Sequence, residues 1–209
     1  MSGRTRRKKK SKRPAASRLV KRAAYVAIPL LTIAIAIAGF LLLRGSETAS
    51  AATPEEVREE IIPEAGDPTA YGLPLSLDNT QQFIDYYESA PITPEQQRMV
   101  DEALLPLKAP CCDDNPMSTC CCDCNLAKSV WGLSGYLIAE KGFNAEDVRS
   151  SALQWLRFIH SDYYVGRELE SGGVDPDRYD LPRGDACYTG RCELPFTDSG
   201  CGGMGVLRQ

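Results

Sequence analysis

Six of the nine cysteines in this 209-residue chain fall within fourteen residues, Cys111–Cys124, which read CCDDNPMSTCCCDC. Thiolates packed at that density do one of two kinds of chemistry: they ligate soft metal ions or they exchange disulfides. Cys120, Cys122 and Cys124 form C-x-C-x-C with Cys121 inside it, and Cys111-Cys112 lie eight residues upstream. That set suits Cu(I) or Zn(II), since thiolate sulfur is a soft ligand that both ions accept. A second group, Cys187, Cys192 and Cys201 with Met204, sits in a glycine-rich tail and supplies further ligands or disulfides. His160, the sole histidine, is a supplementary ligand on one reading and a helix-end residue favoured by the helix dipole on the other. Met117 is either a further ligand or loop packing.

Other chemistries are poorly provided for. One histidine without a carboxylate–histidine arrangement does not make a catalytic zinc or non-haem iron site. Asp175, Asp177 and Asp180 lack the glycine and closing glutamate of a calcium loop. Adjacent cysteines rarely reach disulfide geometry with each other, so any bridges would run across the cluster, within the tail, or from cluster to tail. Nine is odd, so intramolecular disulfides cannot use every thiol. Cys121 and Cys124 form a C-x-x-C opening a helix, the arrangement of redox dithiols, yet no βαβ pattern surrounds it. Asn125 follows where covalent c-type haem needs histidine. Three functions therefore stay open: soft-metal binding or transfer, thiol–disulfide exchange, and a disulfide-stapled interaction module. None of them requires turnover, and no catalytic residue is assigned. Arg183-Gly184-Asp185 spells an adhesion tripeptide that chance also produces.

The elements around these residues are helical, and the fold class expected is mainly α. Leu126, Val130, Leu133 and Leu137 step by four, three and four, with Trp131 and Ile138 widening the apolar face. Gly142 supplies a left-handed stop, and Asn144 caps a second helix carrying Val148, Ala152, Trp155, Leu156 and Ile159. A helical hairpin over about 125–141 and 145–161 follows, with Phe143 and Val148 as its hydrophobic staple. A helix starting at Cys124 would aim unpaired backbone N–H groups at the cluster and favour thiolate there. Upstream, Thr93-Pro94-Glu95-Gln96 is a capping box with proline at the first helical position, and Met99, Val100, Ala103, Leu104 and Leu107 form one stripe. Shorter helices are expected over Glu55–Ile62 and Asp78–Glu88, with loop over Asp67–Pro74. Beyond Tyr163-Tyr164-Val165 the chain is expected to be irregular.

Charge divides the chain. Residues 1–24 carry eleven Lys or Arg and no acid, whereas from Gly45 onward twelve basic residues face twenty-eight acidic ones. So acidic a domain repels nucleic acid, and no nucleic-acid partner is expected. Val26–Leu43 is eighteen residues without a charge, about 27 Å as a helix, near the thickness of a bilayer core. The expected organisation is a basic cytoplasmic head at 1–24, a transmembrane signal-anchor at 25–43, a linker at 44–54 and an extracytoplasmic cysteine-rich helical domain at 55–209. The positive flank keeps the N-terminus cytoplasmic and sends the C-terminal domain across. Cleavage near Ala49-Ser50-Ala51 is the alternative fate of this segment. The membrane is thus one partner through residues 25–43, and another extracytoplasmic metal or redox protein is a second.

Thr119–Cys124, the helix after it, Lys141-Gly142 and the acidic-capped second helix together resemble the PCYCGC-motif family of exported, membrane-anchored bacterial proteins. The resemblance covers about forty residues and puts the family's C-x-C-x-C on Cys120, Cys122 and Cys124; Thr119, Cys121 and Asp123 depart from its Pro, Tyr and Gly. It implies export and membrane anchoring and no particular activity. A weaker likeness, to the thiol-reductase subunit of cytochrome c maturation, implies a redox pair at Cys121 and Cys124. Neither covers the tail.

Overall fold

The structure is a computed structural model, and it describes residues 52–208. The expected head and membrane segment at 1–43 lie outside those residues; among the described ones no helix is long and apolar enough to cross a membrane. The described residues hold six α-helices and no strand: α1 Pro54–Ile61, α2 Asn79–Ser89, α3 Pro94–Leu104, α4 Asn125–Ala139, α5 Ala145–Ile159 and α6 Ser161–Ser171.

Local chemistry starts α1, α3 and α5, where side-chain caps stand. Thr53 and Thr93 both close capping boxes, with Glu56 and Gln96 respectively, and Pro54 and Pro94 hold the first helical position. Asn144 accepts from the backbone N–H groups of Glu146 and Asp147, starting α5. The return bond differs from the capping-box expectation: Asp147 accepts from the Asn144 side-chain amide at 2.7 Å. Gly142, at φ +68°, makes the turn between α4 and α5.

α4 is the central helix, packed by α2, α3 and α5. Leu126, Val130, Leu133 and Leu137 are all fully buried, as their spacing predicts. The other faces are buried too, through the small residues Ala127, Ser129, Gly132, Ser134 and Gly135. Gly132 explains how α2 comes so near: a Cβ there would stand 1.8 Å from the Phe83 carbonyl oxygen. Trp155 of α5 is fully buried against α4 and α2, with its indole N–H donating to Ser129 Oγ at 3.2 Å and its ring edge-on to Phe83. Each such buried large side chain contributes roughly 1.5–3 kcal/mol.

The chain beyond Val165 does not turn irregular at once as expected. His160 leaves helical geometry at φ −137°, ψ 48°, and α6 then runs eleven residues to Ser171, ending at Gly172-Gly173. Its Val165 and Leu169 bury Val57 of α1 in a second small core. Arg58 ties the same two helices through Ser161 and Asp162. The helix is legible only with this partner, because its apolar residues face α1, far away in sequence. After α6 the tail holds three short 3-10 turns, at Pro176–Tyr179, Arg191–Glu193 and Phe196–Asp198.

Candidate metal centre

The six central cysteines come from two loops. Cys111 and Cys112 lie in a tight loop after α3, closed by Ala109 N–H donating to Asn115 O and Met117 N–H donating to Leu107 O. Cys120, Cys121 and Cys122 follow the 3-10 turn Met117–Thr119, and Cys124 is the N-cap residue of α4. Met117 is fully buried, and its carbonyl accepts from the Trp131 indole at 2.8 Å, which pins this second loop to α4.

The tail joins both loops through its backbone. Cys187 N–H donates to Cys111 O at 2.9 Å, and Asp113 N–H to Gly184 O at 3.0 Å. At the other end, Asn125 N–H donates to Gly203 O and Leu126 N–H to Cys201 O, at 2.8 and 3.0 Å. The buried Asn125 side-chain amide adds bonds to Gly202 O and Gly205 O. This changes one expectation. The leading N–H groups of α4 do not point unpaired at the thiols; tail carbonyls cap them. Arg183 fixes the start of the tail by pairing with Glu170, Asp175 and Asp177. Arg183-Gly184-Asp185 is thus engaged within the molecule, and Gly184 at φ +80° passes too close to Asp113 to carry a Cβ.

The result is a single connected network of all nine sulfurs, every one a free thiol. Sγ–Sγ distances are 3.6 Å for Cys112–Cys120, 3.7 Å for Cys121–Cys122, 3.9 Å for Cys122–Cys192, 3.1 Å for Cys187–Cys192 and 3.4 Å for Cys192–Cys201. Cys124 faces the thiols of Cys111, Cys120, Cys122 and Cys201. Four triangles of sulfurs have all edges within 4.8 Å: Cys111/Cys187/Cys201, Cys112/Cys121/Cys187, Cys120/Cys121/Cys122 and Cys122/Cys187/Cys192. A metal–thiolate bond of about 2.3 Å sets ligand sulfurs about 3.8–4.0 Å apart, so these triangles have the size of a coordination sphere. The same closeness also permits disulfides after small movements. Cys111, Cys112, Cys124, Cys192 and Cys201 are buried, Cys120, Cys122 and Cys187 are half-buried, and Cys121 is exposed. Solvent therefore reaches the network on the Cys121 side.

Proton affinities within the network diverge. Cys124 receives S–H hydrogen bonds from Cys111, Cys120, Cys122 and Cys201, which hold it strongly towards thiolate. Cys187 is lowered to about 5, chiefly by the Cys111 S–H and against the effect of burial. The donors pay in the opposite direction: Cys111, Cys120 and Cys122 are pushed up, each first of all by its bond to Cys124. For Cys201 the bond with Cys111 lowers its proton affinity, but the bond and charge of Cys124 together with burial raise it further, and the net shift is upward. Desolvation leads for Cys121 and Cys192, raised to about 12 and about 11. Two thiolates among acidic neighbours form a negative pole, and Asp113, Asp114, Asp123 and Asp185 stand beside the cysteines in sequence.

The two other residues read as supplementary ligands are His160 and Met204. His160 is 1% exposed between α5 and α6, with its ring edge-on to Tyr163, and belongs to none of the sulfur triangles. Both its ring nitrogens lack a hydrogen-bond partner. Met204 is 53% exposed. Sequence reasoning missed Asn125, whose helix-start position signals a cap and whose side chain instead holds the tail. Comparison with protein-family models, with curated proteins and with solved structures finds no match.

Proposed function

We propose that this chain is a membrane-anchored protein whose extracytoplasmic domain binds a soft metal, copper before zinc, and hands it on. The observation that carries the reading is the convergence of three tail thiols onto six central ones, across sixty to ninety residues of chain. Burial alone does not require this: thiols are small apolar side chains that a core accommodates singly. Gathering them at ligand spacing, beside carboxylates and with one exposed member, serves a cation that arrives from solution and leaves again. Thiolate selects soft ions over the harder calcium and magnesium.

The test uses the full chain in detergent, prepared reduced and without air, with free thiols and bound metal counted on one sample. Stoichiometric copper or zinc is expected, and changing Cys120, Cys122 and Cys124 to Ser lowers it, since that removes two of the four sulfur triangles. A reduced preparation, with its thiols counted as free, that takes up neither ion sinks the proposal.

A second reading has its own observation. Cys187 and Cys192 lie 3.1 Å apart, and Cys187 is the more acidic of the two. A low-pKa thiol beside a resolving partner is the arrangement of a thiol–disulfide exchanger. Rapid, reversible reduction of a Cys187–Cys192 disulfide by a dithiol, in metal-free protein, would favour it. The same experiment asks whether the tail pair displaces Cys121 and Cys124 as the exchanging dithiol.

A further inference from the structure

The four sulfur triangles are not four separate sites. Cys187 belongs to three of them, and Cys121 and Cys122 to two each. A thiolate sulfur has several lone pairs and serves two triangles at once only by bridging two metal ions. Cys124 belongs to no triangle, yet it touches Cys111, Cys120, Cys122 and Cys201, one or more corners of every triangle but one. Mononuclear sites would need private ligands, and nine sulfurs arranged this way do not supply them.

We propose that eight of the nine cysteines hold one polynuclear Cu(I)–thiolate cluster of four ions, one for each triangle, with Cys187 as the principal bridge and Cys124 beside it. This inference rests on the soft-metal reading and deepens it. Three-coordinate sulfur is an environment that Cu(I), a soft monovalent ion, accepts. Each ion that enters replaces thiol protons, RSH + Cu(I) giving RS–Cu(I) + H⁺, and its charge offsets the repulsion that otherwise limits the network to few thiolates. Loading is cooperative for the same reason. An ion in the Cys111/Cys187/Cys201 triangle leaves Cys187 deprotonated and in place for the two other triangles it shares.

The tail is then structural to the cluster. Cys187 and Cys201 come from its two ends, and both are attached by backbone bonds to the loops that carry the central cysteines, at Cys111 O and Leu126 N–H. Metal bonds in the shared triangles cross-link the tail to the loop after α3 and to the loop before α4.

The test titrates the reduced full chain in detergent, without air, with Cu(I) delivered from a weaker chelator, and counts ions per chain by native mass spectrometry. Four ions are expected at saturation, with metal-free and four-ion species coexisting below it. Cys187→Ser is expected to retain one ion, in the Cys120/Cys121/Cys122 triangle, and Cys120→Ser three. Both are half-buried loop residues, and far-ultraviolet circular dichroism of the metal-free variants checks that the helices are intact. One ion per chain in the parent overturns the cluster and leaves the soft-metal reading standing; no ion overturns both. Four ions that fill one at a time, or equal losses in the two variants, overturn the shared bridge.

Discussion

Among the thiols that solvent reaches, Cys187 and Cys121 differ in acidity although they share a triangle. Cys187 accepts S–H bonds from its neighbours, whereas Cys121 is raised by desolvation and by its contacts with Cys112 and Cys187. Cys187 is thiolate above about 5, so in metal-free protein its alkylation is expected to be near its plateau at neutral pH and to fall only as pH drops through that value. Short iodoacetamide pulses at a series of pH values, read by peptide mass spectrometry, measure this; faster labelling of Cys121 in mildly acidic buffer would contradict it. His160 makes the second residue-scale prediction. Burial lowers its pKa from 6.5 to about 4, so the unfolded chain takes up a proton in a window where the folded one does not. Its contribution to stability is present above 6.5 and is lost as pH falls from there towards about 4. The loss between neutral pH and about pH 5 is about 2 kcal/mol. The denaturant midpoint of the parent should fall relative to that of His160→Leu on acidification, since the variant has no proton to take up there.

At the scale of elements, the α2–α4 crossing depends on one missing side chain. Gly132→Ala forces a methyl group onto the Phe83 carbonyl and is expected to destabilise the domain by about 3 kcal/mol, measured by urea unfolding. The neighbouring Gly135→Ala meets Tyr86 and Ile92 at ordinary contact distance and should be close to neutral. Asn125 tests the join between α4 and the tail. Asn125→Ala deletes the bonds to Gly202 O and Gly205 O at a buried site, a cost of about 1–3 kcal/mol. Trypsin should then cut the tail at Arg191 or Arg208 sooner than in the parent, while the α4–α5 hairpin stays resistant. Equal protection of the tail in both proteins would show that Asn125 does not hold it. The hairpin and α3 were legible beforehand because their capping boxes, left-handed glycine and three-to-four spacing are all local. α6 was not, because its buried Val165 and Leu169 answer to α1 and its Tyr163 and Gly166 to His160 and the tail. The nearly complete burial of α4 was not either, since serine and glycine on a helix do not announce which neighbours they admit.

For the whole molecule, metal is expected to act as a staple between segments distant in sequence. A ligand that binds only the folded state stabilises it by RT ln(1 + [L]/Kd), about 4 kcal/mol at a thousandfold excess over Kd. Cu(I) loading should raise the urea midpoint and protect the tail from trypsin, and a strong Cu(I) chelator should reverse both. The helices do not depend on the ion: among the described residues thirty-two buried apolar side chains make the core, and most of them come from the helices. Far-ultraviolet dichroism should therefore change little on metal removal while tail proteolysis changes much. Collapse of the helical signal on chelation would mean that the cluster nucleates the fold.

The amino-acid sequence alone determined the helical class, the hairpin and the existence of a dense central thiol group. These follow from caps, apolar spacing and residue identity, which act over a few positions. It also singled out Cys187, Cys192 and Cys201, without saying where they go. Only the tertiary structure decided that they meet the central six, that Cys187 is shared by three triangles, that tail carbonyls cap α4, and that His160 is buried outside the sulfur triangles. The reason is physical: these contacts join residues sixty or more positions apart, and their geometry is set by how α4, α6 and the glycine turns of the tail pack together. No periodicity within any one segment encodes it.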